Sequence, residues 1–232
     1  MEAAVEWDGT DNNLDAFLAP TYYIDSDNPA IVAFSEKATK GLTDPTEKAI
    51  ALFDAVRDGY RYDPYSMSHD TESYRASVVV GTDRGWCVTK SILLTAAARA
   101  AGIPAAIGFA DVKNHLNTPK LREVMGGSDL FAYHGFAVLY LKGRWIKVSP
   151  AFNMQMCTRF HTKPLIFDGE HDALLHEFDQ KDRKHMEYLR ERGIFLEAPV
   201  QDILDEFDRI YPNFSGKVAD AQATDKAFHA AE

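Results

Sequence analysis

The sequence has little of what marks disulfide-rich, secreted or membrane-spanning proteins. Its 232 residues include only two cysteines, too few for a disulfide framework in a chain of this size. No apolar run approaches the roughly 20 residues that cross a bilayer, and the acidic N-terminus lacks the apolar segment of a secretory signal. We therefore expect a cytoplasmic protein that does not associate with membranes.

The sequence also lacks the signatures of nucleic-acid, phosphate and metal binding. Its formal net charge is -10 and no long Lys/Arg cluster offsets it, so a polyanion would be repelled. It has no glycine-rich phosphate loop. No zinc signature is formed by the spacings among Cys157, His161, His171, His176 and His185. We expect no nucleic-acid partner, no metal and no other cofactor.

Helical patterns dominate both ends of the chain, and its 46% hydrophobic content suits a globular core. Asp44, Pro45 and Glu47 form a capping pattern, and Gly102 is a stop signal. Helices are predicted from about Pro29 and over Pro45–Gly59, Val88–Ala101, His176–Arg192 and Val200–Ile210. The first ~20 residues are polar and predicted to be poorly ordered, and a polar tail is predicted after Tyr211.

Three strands are predicted in the middle of the chain. Ala105–Ala110 is a short apolar run, while His134–Leu141 and Arg144–Val148 flank a Lys-Gly turn and form a hairpin. The long connection over residues 111–133 is predicted to be a loop, of the kind that often forms a lid. The predicted fold class is α+β. Its helices come first, followed by a helix packed on an antiparallel sheet and then by more helices.

Cys87 has the surroundings of a nucleophile. It follows Gly85 and Trp86 and opens the helix predicted over Val88–Ala101. Free N–H groups and partial positive charge at a helix N-terminus stabilise a thiolate and lower its pKa. The same N–H groups can hold the oxyanion of an acyl-transfer intermediate. Cys157 lacks this context and suits a small buried residue.

A base for this nucleophile is available in His134. It begins a predicted strand, so we expect its side chain at the edge of the sheet, where it can meet the start of a helix. A nucleophilic Cys needs a base within hydrogen-bond reach, and His is the usual residue. A merely structural role for His134 stays open, since the chain has 8 histidines.

Four motifs, in this order, resemble the core of the transglutaminase-like superfamily: Gly85–Lys90 around the Cys, the Arg-Ala-x-Gly-Ile-Pro-Ala exit within Ala98–Ala105, the strand His134–Tyr140, and the Gly-x-Trp hairpin Gly143–Trp145. The resemblance implies a papain-like core over about residues 45–153. It implies a single transglutaminase-like domain over 1–232, with an N-terminal arm and a C-terminal helical extension. It also implies a Cys-His-acid mechanism, with Cys87 as nucleophile and His134 as general base.

The third member of the triad departs from the family pattern. The family usually has Asp before a Pro at the end of the third core strand, where this chain has Ser149, and Ser does not stabilise imidazolium as a carboxylate does. We predict Asp111 as the orienting residue, because its strand end lies beside the start of the His134 strand if the two are antiparallel neighbours. Ser149, Asn153 and Asp168 stay open as alternatives, as does a purely local turn role for Asp111.

The predicted activity is cysteine-dependent acyl transfer or hydrolysis on an amide or thioester, through an acyl-enzyme on Cys87. The Cys-Asp-His order resembles that of transglutaminase-like Dieckmann cyclases, so ring closure on a carrier-bound acyl chain is an alternative. A catalytically inactive binding module is another. Trp86, Tyr133 and His115 are predicted to contact a small-molecule, peptide or carrier-bound acyl substrate. The sequence does not indicate the oligomeric state.

Overall fold

The structure is a computed structural model that describes residues 7, 13–114, 117–174, 186–211 and 214–229. Its helices are α1 (Pro29–Ala38), α2 (Pro45–Gly59), α3 (Ala76–Val79), α4 (Cys87–Ala100), α5 (Pro119–Val124), α6 (Met154–Arg159), α7 (Val200–Ile210) and α8 (Phe214–Thr224). Its strands are β1 (Arg61–Tyr62), β2 (Arg84–Gly85), β3 (Ala105–Asn114), β4 (Leu130–Leu141), β5 (Arg144–Val148) and β6 (Met186–Phe195). Within the described residues, no helix is both long and apolar enough to cross a bilayer.

The first two helices begin where their capping residues predict. The side chain of Asn28 accepts a hydrogen bond from the N–H of Ala30 at 3.0 Å. Asp44 accepts from the N–H groups of Thr46 and Glu47 at 2.9 and 3.0 Å. Each helix has proline in its first turn, where the missing N–H has no partner to lose. The predicted apolar face of α2 is buried: Ala49, Leu52, Phe53 and Val56.

The main sheet has four antiparallel strands in the order β5-β4-β3-β6. The predicted hairpin joins β4 to β5 through Lys142 and Gly143, whose φ angles of +51° and +83° suit a tight two-residue turn. β1 and β2 form a separate short parallel pair. Helices combined with this antiparallel sheet confirm the predicted α+β class.

Helix α4 runs through the middle of the molecule. Every residue from Cys87 to Arg99 is buried, because α1, α2, α3, β3 and β4 all pack against it. Most side chains of α4 are small or apolar, on every side of the helix, which suits this position. It ends as predicted before Gly102, which has a φ of +79° that glycine adopts without strain. The first turn of α4 is thereby enclosed between helices and sheet.

The prediction of a loop over residues 111–133 is wrong for much of that range. β3 continues to Asn114 and β4 already begins at Leu130, with a register shift between Ala110 and Val112. Helix α5 occupies part of the connection, and its N-cap is the Thr118 side chain, which accepts from the N–H of Leu121 at 3.1 Å. The proline of this stretch marks a helix start and not an irregular loop.

The prediction of a helix over His176–Arg192 is wrong for the residues of this range that the structure describes. Residues 175–185 lie outside the described residues, and Met186–Phe195 forms β6, which pairs with β3. Glu, Leu and Arg favour helices in isolation. Hydrogen bonding to the edge of β3 overrides that local preference, as tertiary context often does.

Both ends of the chain contribute described residues to the core. Leu14–Phe17 forms a 3-10 turn that buries Phe17, whose ring contacts Trp7 and Trp145. After Tyr211, α8 is followed by a short turn, and three apolar side chains of the described residues are buried: Phe214, Ala221 and Phe228. For these residues the predictions of poor order before residue 20 and of a polar tail are wrong, because a few apolar side chains anchor each segment.

Candidate active site

Cys87 is the first residue of α4, as predicted, and its side chain is buried. Burial raises the pKa of the Cys87 thiol to about 11, although the nearby backbone N–H groups of Gly135, Val88 and Cys87 itself act in the opposite direction. An isolated thiol in these surroundings would stay protonated at neutral pH. Activation of Cys87 therefore needs a base.

Gly135 brings β4 onto the first turn of α4. A Cβ atom at this position would lie 3.0 Å from Cα of Val88 and 3.1 Å from the carbonyl oxygen of Cys87. Backbone can approach backbone this closely because glycine has no side chain. His134 precedes Gly135 on β4, so the same contact brings the His134 backbone to the Cys87 end of the helix.

His134 is buried within β4 and pairs with Ala110 of β3. The prediction that His134 begins this strand is wrong, because β4 starts at Leu130. Its ring nitrogen Nε2 lies 3.5 Å from Oγ of Ser149, at the outer limit of a hydrogen bond. Ser149 is buried directly after β5, so a hydroxyl group stands where the family usually has a carboxylate.

The predicted antiparallel pairing of the Asp111 and His134 strands is confirmed, since Ala110 lies opposite His134. Asp111 is buried. Its Oδ1 accepts from Nε of Arg192 at 2.8 Å and from the N–H of Tyr133 at 3.2 Å. Residues of both neighbouring strands therefore engage this carboxylate. Its role as the orienting acid of His134 stays a prediction.

The side-chain oxygens of the remaining alternatives for the third residue are engaged elsewhere. The side-chain oxygen of Asn153, the residue before α6, accepts from the N–H of Tyr62 at 3.1 Å. Asp168 is about half exposed, and its Oδ2 lies 2.8 Å from Nδ1 of His171. The hydrogen bonds from His171 hold the pKa of Asp168 well below its usual range.

Trp86 and Tyr133, two of the three predicted substrate contacts, directly precede the candidate nucleophile and base. The Trp86 ring is buried and packs against Tyr74 and Phe207. Among the described residues its Nε1 has no hydrogen-bond partner. Tyr133 is half-buried. The third predicted contact, His115, lies outside the described residues.

Lys90 is a buried residue of this region that sequence reasoning missed. One turn after Cys87, its Nζ donates to the carbonyl oxygens of Arg57, Tyr60 and Ala151 at 2.9, 2.6 and 2.8 Å. Burial lowers the pKa of Lys90 to about 7, whereas three carbonyl acceptors favour the charged form. The side chain ties the end of α2 to the loop after β5. A lysine in the first turns of a helix rich in small and apolar residues was the available signal.

A groove of about 640 Å³ lies beside the N-terminal end of α4. Gly85 and Thr89 form part of its wall, and much of the rest is polar: Ser66, Ser68, Ser73, Thr82 and Arg84. Cys87 and His134 do not line this groove and are only 5% and 4% exposed. In this form of the molecule the thiol is shielded from the groove.

In the part of the chain that the structure describes, no three or more His, Cys, Asp or Glu side chains are grouped to hold a metal ion. Cys157 is buried in α6, and its Sγ lies 3.8 Å from the carbonyl oxygen of Phe152. His171 pairs with Asp168 on the surface. His176 and His185 are outside the described ranges.

Comparison with solved structures found two similar chains. One, from Cytophaga hutchinsonii, is described as a "putative cysteine protease"; it is 19% identical, with a TM-score of 0.47, over 82% of this chain and 58% of that chain. The other, from Parabacteroides distasonis, is described as a "putative protease"; it is 17% identical, with a TM-score of 0.37, over 60% of this chain and 28% of that chain. This chain thus spans less than two thirds of either. No curated protein matches its sequence.

The sequence also matches the family model described as the transglutaminase-like superfamily over residues 32–150. This match covers more than half of the chain. It contains α4 with Cys87 at its start, the β3–β4 pair with His134, and the β5 hairpin. The motifs that suggested the family are therefore part of a match to the whole core, and the chain belongs to the transglutaminase-like superfamily.

Proposed function

We propose that this protein is a cysteine enzyme that transfers or hydrolyses the acyl group of an amide or thioester through an acyl-enzyme on Cys87. The junction of β4 and α4 carries the proposal. There, Gly135, the neighbour of His134, packs directly on the backbone of Cys87 and Val88 at the start of α4, and nearby backbone N–H groups lower the pKa of the Cys87 thiol against the effect of burial. Family membership supports cysteine-based catalysis in general.

In the proposed reaction His134 accepts the proton of the Cys87 thiol, and the thiolate attacks the substrate carbonyl carbon. A sulfur–carbon bond forms and the carbonyl oxygen becomes negative, a charge that backbone N–H groups at the start of α4 stabilise. Collapse of this intermediate expels an amine or thiolate, which takes the proton held by His134. Water, an amine or a carbanion then attacks the thioester carbonyl, with His134 taking the proton that water or an amine loses. The carbon–sulfur bond breaks, and the Cys87 thiolate is released.

Two groups are proposed to orient the His134 ring. Ser149 Oγ is 3.5 Å from Nε2, which leaves Nδ1 for the thiol. The second group is Asp111, the residue after Ala110, which pairs with His134. Trp86 and Tyr133 are proposed to contact the acyl substrate, Trp86 through its unpartnered indole N–H.

Dieckmann-type ring closure is a second candidate, favoured by the enclosure of the site. Cys87 and His134 are 5% and 4% exposed, and a site closed to water limits hydrolysis of an acyl-enzyme. A carbanion within the bound acyl chain would attack the thioester carbonyl, form a carbon–carbon bond and release the Cys87 thiolate. A carrier-bound acyl chain would supply both reacting carbons.

The pH dependence of Cys87 alkylation tests the shared first step. Iodoacetamide labelling, resolved by mass spectrometry, would be measured from about pH 5 to pH 10 on wild type and His134→Ala. A thiolate paired with His134 labels at a nearly constant rate around neutrality, whereas an isolated thiol loses about tenfold per pH unit below its pKa. Cys157 is buried inside α6 and serves as the internal control.

A flat profile in wild type that becomes steep in His134→Ala supports the enzyme. Steep profiles in both proteins would contradict it and would favour an inactive binding module. With a flat profile, a panel of thioesters and amides should leave an acyl group on Cys87 that intact-protein mass spectrometry detects. A free acid as product identifies hydrolysis, and a ring product identifies the cyclase.

A further inference from the structure

Tyr133, the residue before His134, has an unusual backbone conformation. Its φ is +52°, in the left-handed region that a bulky residue rarely adopts. The strand pairing shifts register at the same place, between Ala110 and Val112 of β3. Such a conformation persists where surrounding contacts hold it, and it sets the direction in which β4 enters His134.

Asp111 holds the Tyr133 backbone directly. Its Oδ1 accepts a hydrogen bond from the N–H of Tyr133 at 3.2 Å. Asp111 is itself 6% exposed, so this bond is largely protected from competition by water.

Arg192 completes the contact from the other side of β3. Its Nε donates to the same Oδ1 of Asp111 at 2.8 Å, and its guanidinium lies 4.6 Å from the centre of the Tyr133 ring, within range of a cation–π contact. Its NH2 group donates to Glu206 of α7 at 2.7 Å. One arginine thus fixes both the carboxylate and the ring of Tyr133.

We propose that Asp111 and Arg192 are positioning residues, which together hold the Tyr133 backbone in its left-handed conformation and so direct His134 towards Cys87. This Asp111–Arg192 clamp rests on the proposed function, in which His134 activates Cys87. Arg192 lies on β6, outside residues 32–150 that match the family model.

The clamp differs from a directly bonded acid in what it requires. If Asp111 bonded the His134 imidazole itself, it would not need Arg192. The guanidinium of Arg192 would instead compete with the imidazole for the Asp111 carboxylate. The clamp needs both residues and acts through the backbone of residue 133. Glycine adopts a φ of +52° without strain, so Tyr133→Gly should replace part of the clamp, whereas Tyr133→Ala should not.

The test uses full-length Asp111→Ala and Arg192→Met proteins, each alone and combined with Tyr133→Gly or Tyr133→Ala. The two substitutions at Tyr133 remove the same ring and differ in backbone freedom. Arg190→Met, at an exposed arginine on the same strand, is the matched control. The readout is the ratio of Cys87 alkylation rates at about pH 7 and about pH 10, which cancels changes in access to the thiol.

We expect Asp111→Ala and Arg192→Met to lower this ratio about tenfold or more, as for partial loss of a general base, and Arg190→Met to leave it unchanged. Adding Tyr133→Gly should restore most of the ratio, and adding Tyr133→Ala should not. A wild-type ratio in Arg192→Met, or equal ratios with Gly and Ala, would overturn the clamp. Loss in Asp111→Ala without rescue by glycine would assign Asp111 a direct bond to His134 and also overturn it.

Failure of the proposed function would look different. Wild type itself would then have a low ratio, and His134→Ala would not change it. Circular dichroism would establish that each variant folds. If Asp111→Ala does not fold, Arg192→Met with the two Tyr133 substitutions makes the same comparison with Asp111 intact.

Discussion

Gly135 and Cys87 pack so closely that a Cβ on Gly135 would lie 3.1 Å from the Cys87 carbonyl oxygen, and the backbone N–H of Gly135 lowers the pKa of the Cys87 thiol. A strand and a helix start are thereby fixed to each other beside the proposed base and nucleophile. Any added atom at Gly135 would separate them.

Gly135→Ala should therefore disturb both stability and reactivity. The new methyl group would meet backbone atoms of Val88 and Cys87, which yield less readily than flexible side chains. We expect the free energy of unfolding in urea to fall by about 1–3 kcal/mol, as for other overpacked sites, and Cys87 alkylation at neutral pH to slow. Gly59→Ala, which meets open space at the end of α2, should leave both unchanged. Equal effects of the two substitutions would contradict this account.

Lys90→Met should destabilise the protein strongly. It would leave the buried carbonyl oxygens of Arg57, Tyr60 and Ala151 without their donor, and each unsatisfied acceptor costs about 1 kcal/mol or more. We expect a loss of about 3 kcal/mol in the free energy of unfolding, measured by urea titration. Lys120→Met, which removes an exposed ion pair with Asp220, should cost under about 0.5 kcal/mol. A small effect at Lys90 would mean that water replaces the ammonium.

Glu206, which accepts a hydrogen bond from Arg192, should increase the free energy of unfolding at neutral pH. This contribution should be lost in acid. Hydrogen bonding from Arg209 lowers the pKa of Glu206 to about 2, helped by Arg192 and opposed by desolvation, from an ordinary value of 4.5. The unfolded chain therefore binds more protons between these values. The contribution is fully present above about pH 4.5 and is lost as the pH falls through about 2.

Glu206→Gln tests this sign. It should lower the free energy of unfolding by about 1 kcal/mol at pH 7, a value discounted for solvent screening, and by much less near pH 2. Urea titrations of both proteins at several pH values would measure the difference. Glu36→Gln, at an exposed glutamate of α1, is the control. A difference that stays constant down to pH 2 would contradict the ion-pair explanation.

Local sequence signals predicted the elements that carry the candidate site. The start of α4 at Cys87, its stop at Gly102 and the turn between β4 and β5 each depend on residues that are close in sequence. The position of Asp111 beside the His134 strand required only that two consecutive strands pair antiparallel. The hydroxyl contact of Ser149 was open to prediction as an alternative, because the family motif marks that position.

Contacts between distant residues were beyond local reasoning. Arg192 meets Asp111 across 81 positions, and it does so through β6, whose sequence favours a helix in isolation. The acceptors of Lys90 lie 30 to 61 positions away. In both cases the interaction forms only between elements that have packed against each other. The residues next to Arg192 and Lys90 in the sequence therefore do not predict it.

The last described segment, which comprises α8 and Lys226–Phe228, is anchored at its end by an aromatic side chain and a carboxylate. Phe228 is 5% exposed, and its ring packs against three others: Tyr62, Tyr65 and Phe160. Asp225 accepts from the hydroxyl groups of Tyr65 and Thr118 at 2.8 and 2.6 Å. These contacts join the segment to the loop after β1, to the start of α5 and to the end of α6.

Phe228→Ala should loosen this segment and leave the rest of the protein folded. Truncating a buried Phe costs about 3–5 kcal/mol, and the rings that Phe228 contacts lie outside α4 and the main sheet, so we expect the cost to appear as local opening. Backbone amides of residues 214–229 should exchange with deuterium about 100-fold faster, while amides of β3 and β4 keep their wild-type rates. Asp220→Ala, at an exposed position of α8, should change neither. Uniformly faster exchange across α4 and the sheet would mean instead that Phe228 belongs to one cooperative unit with them.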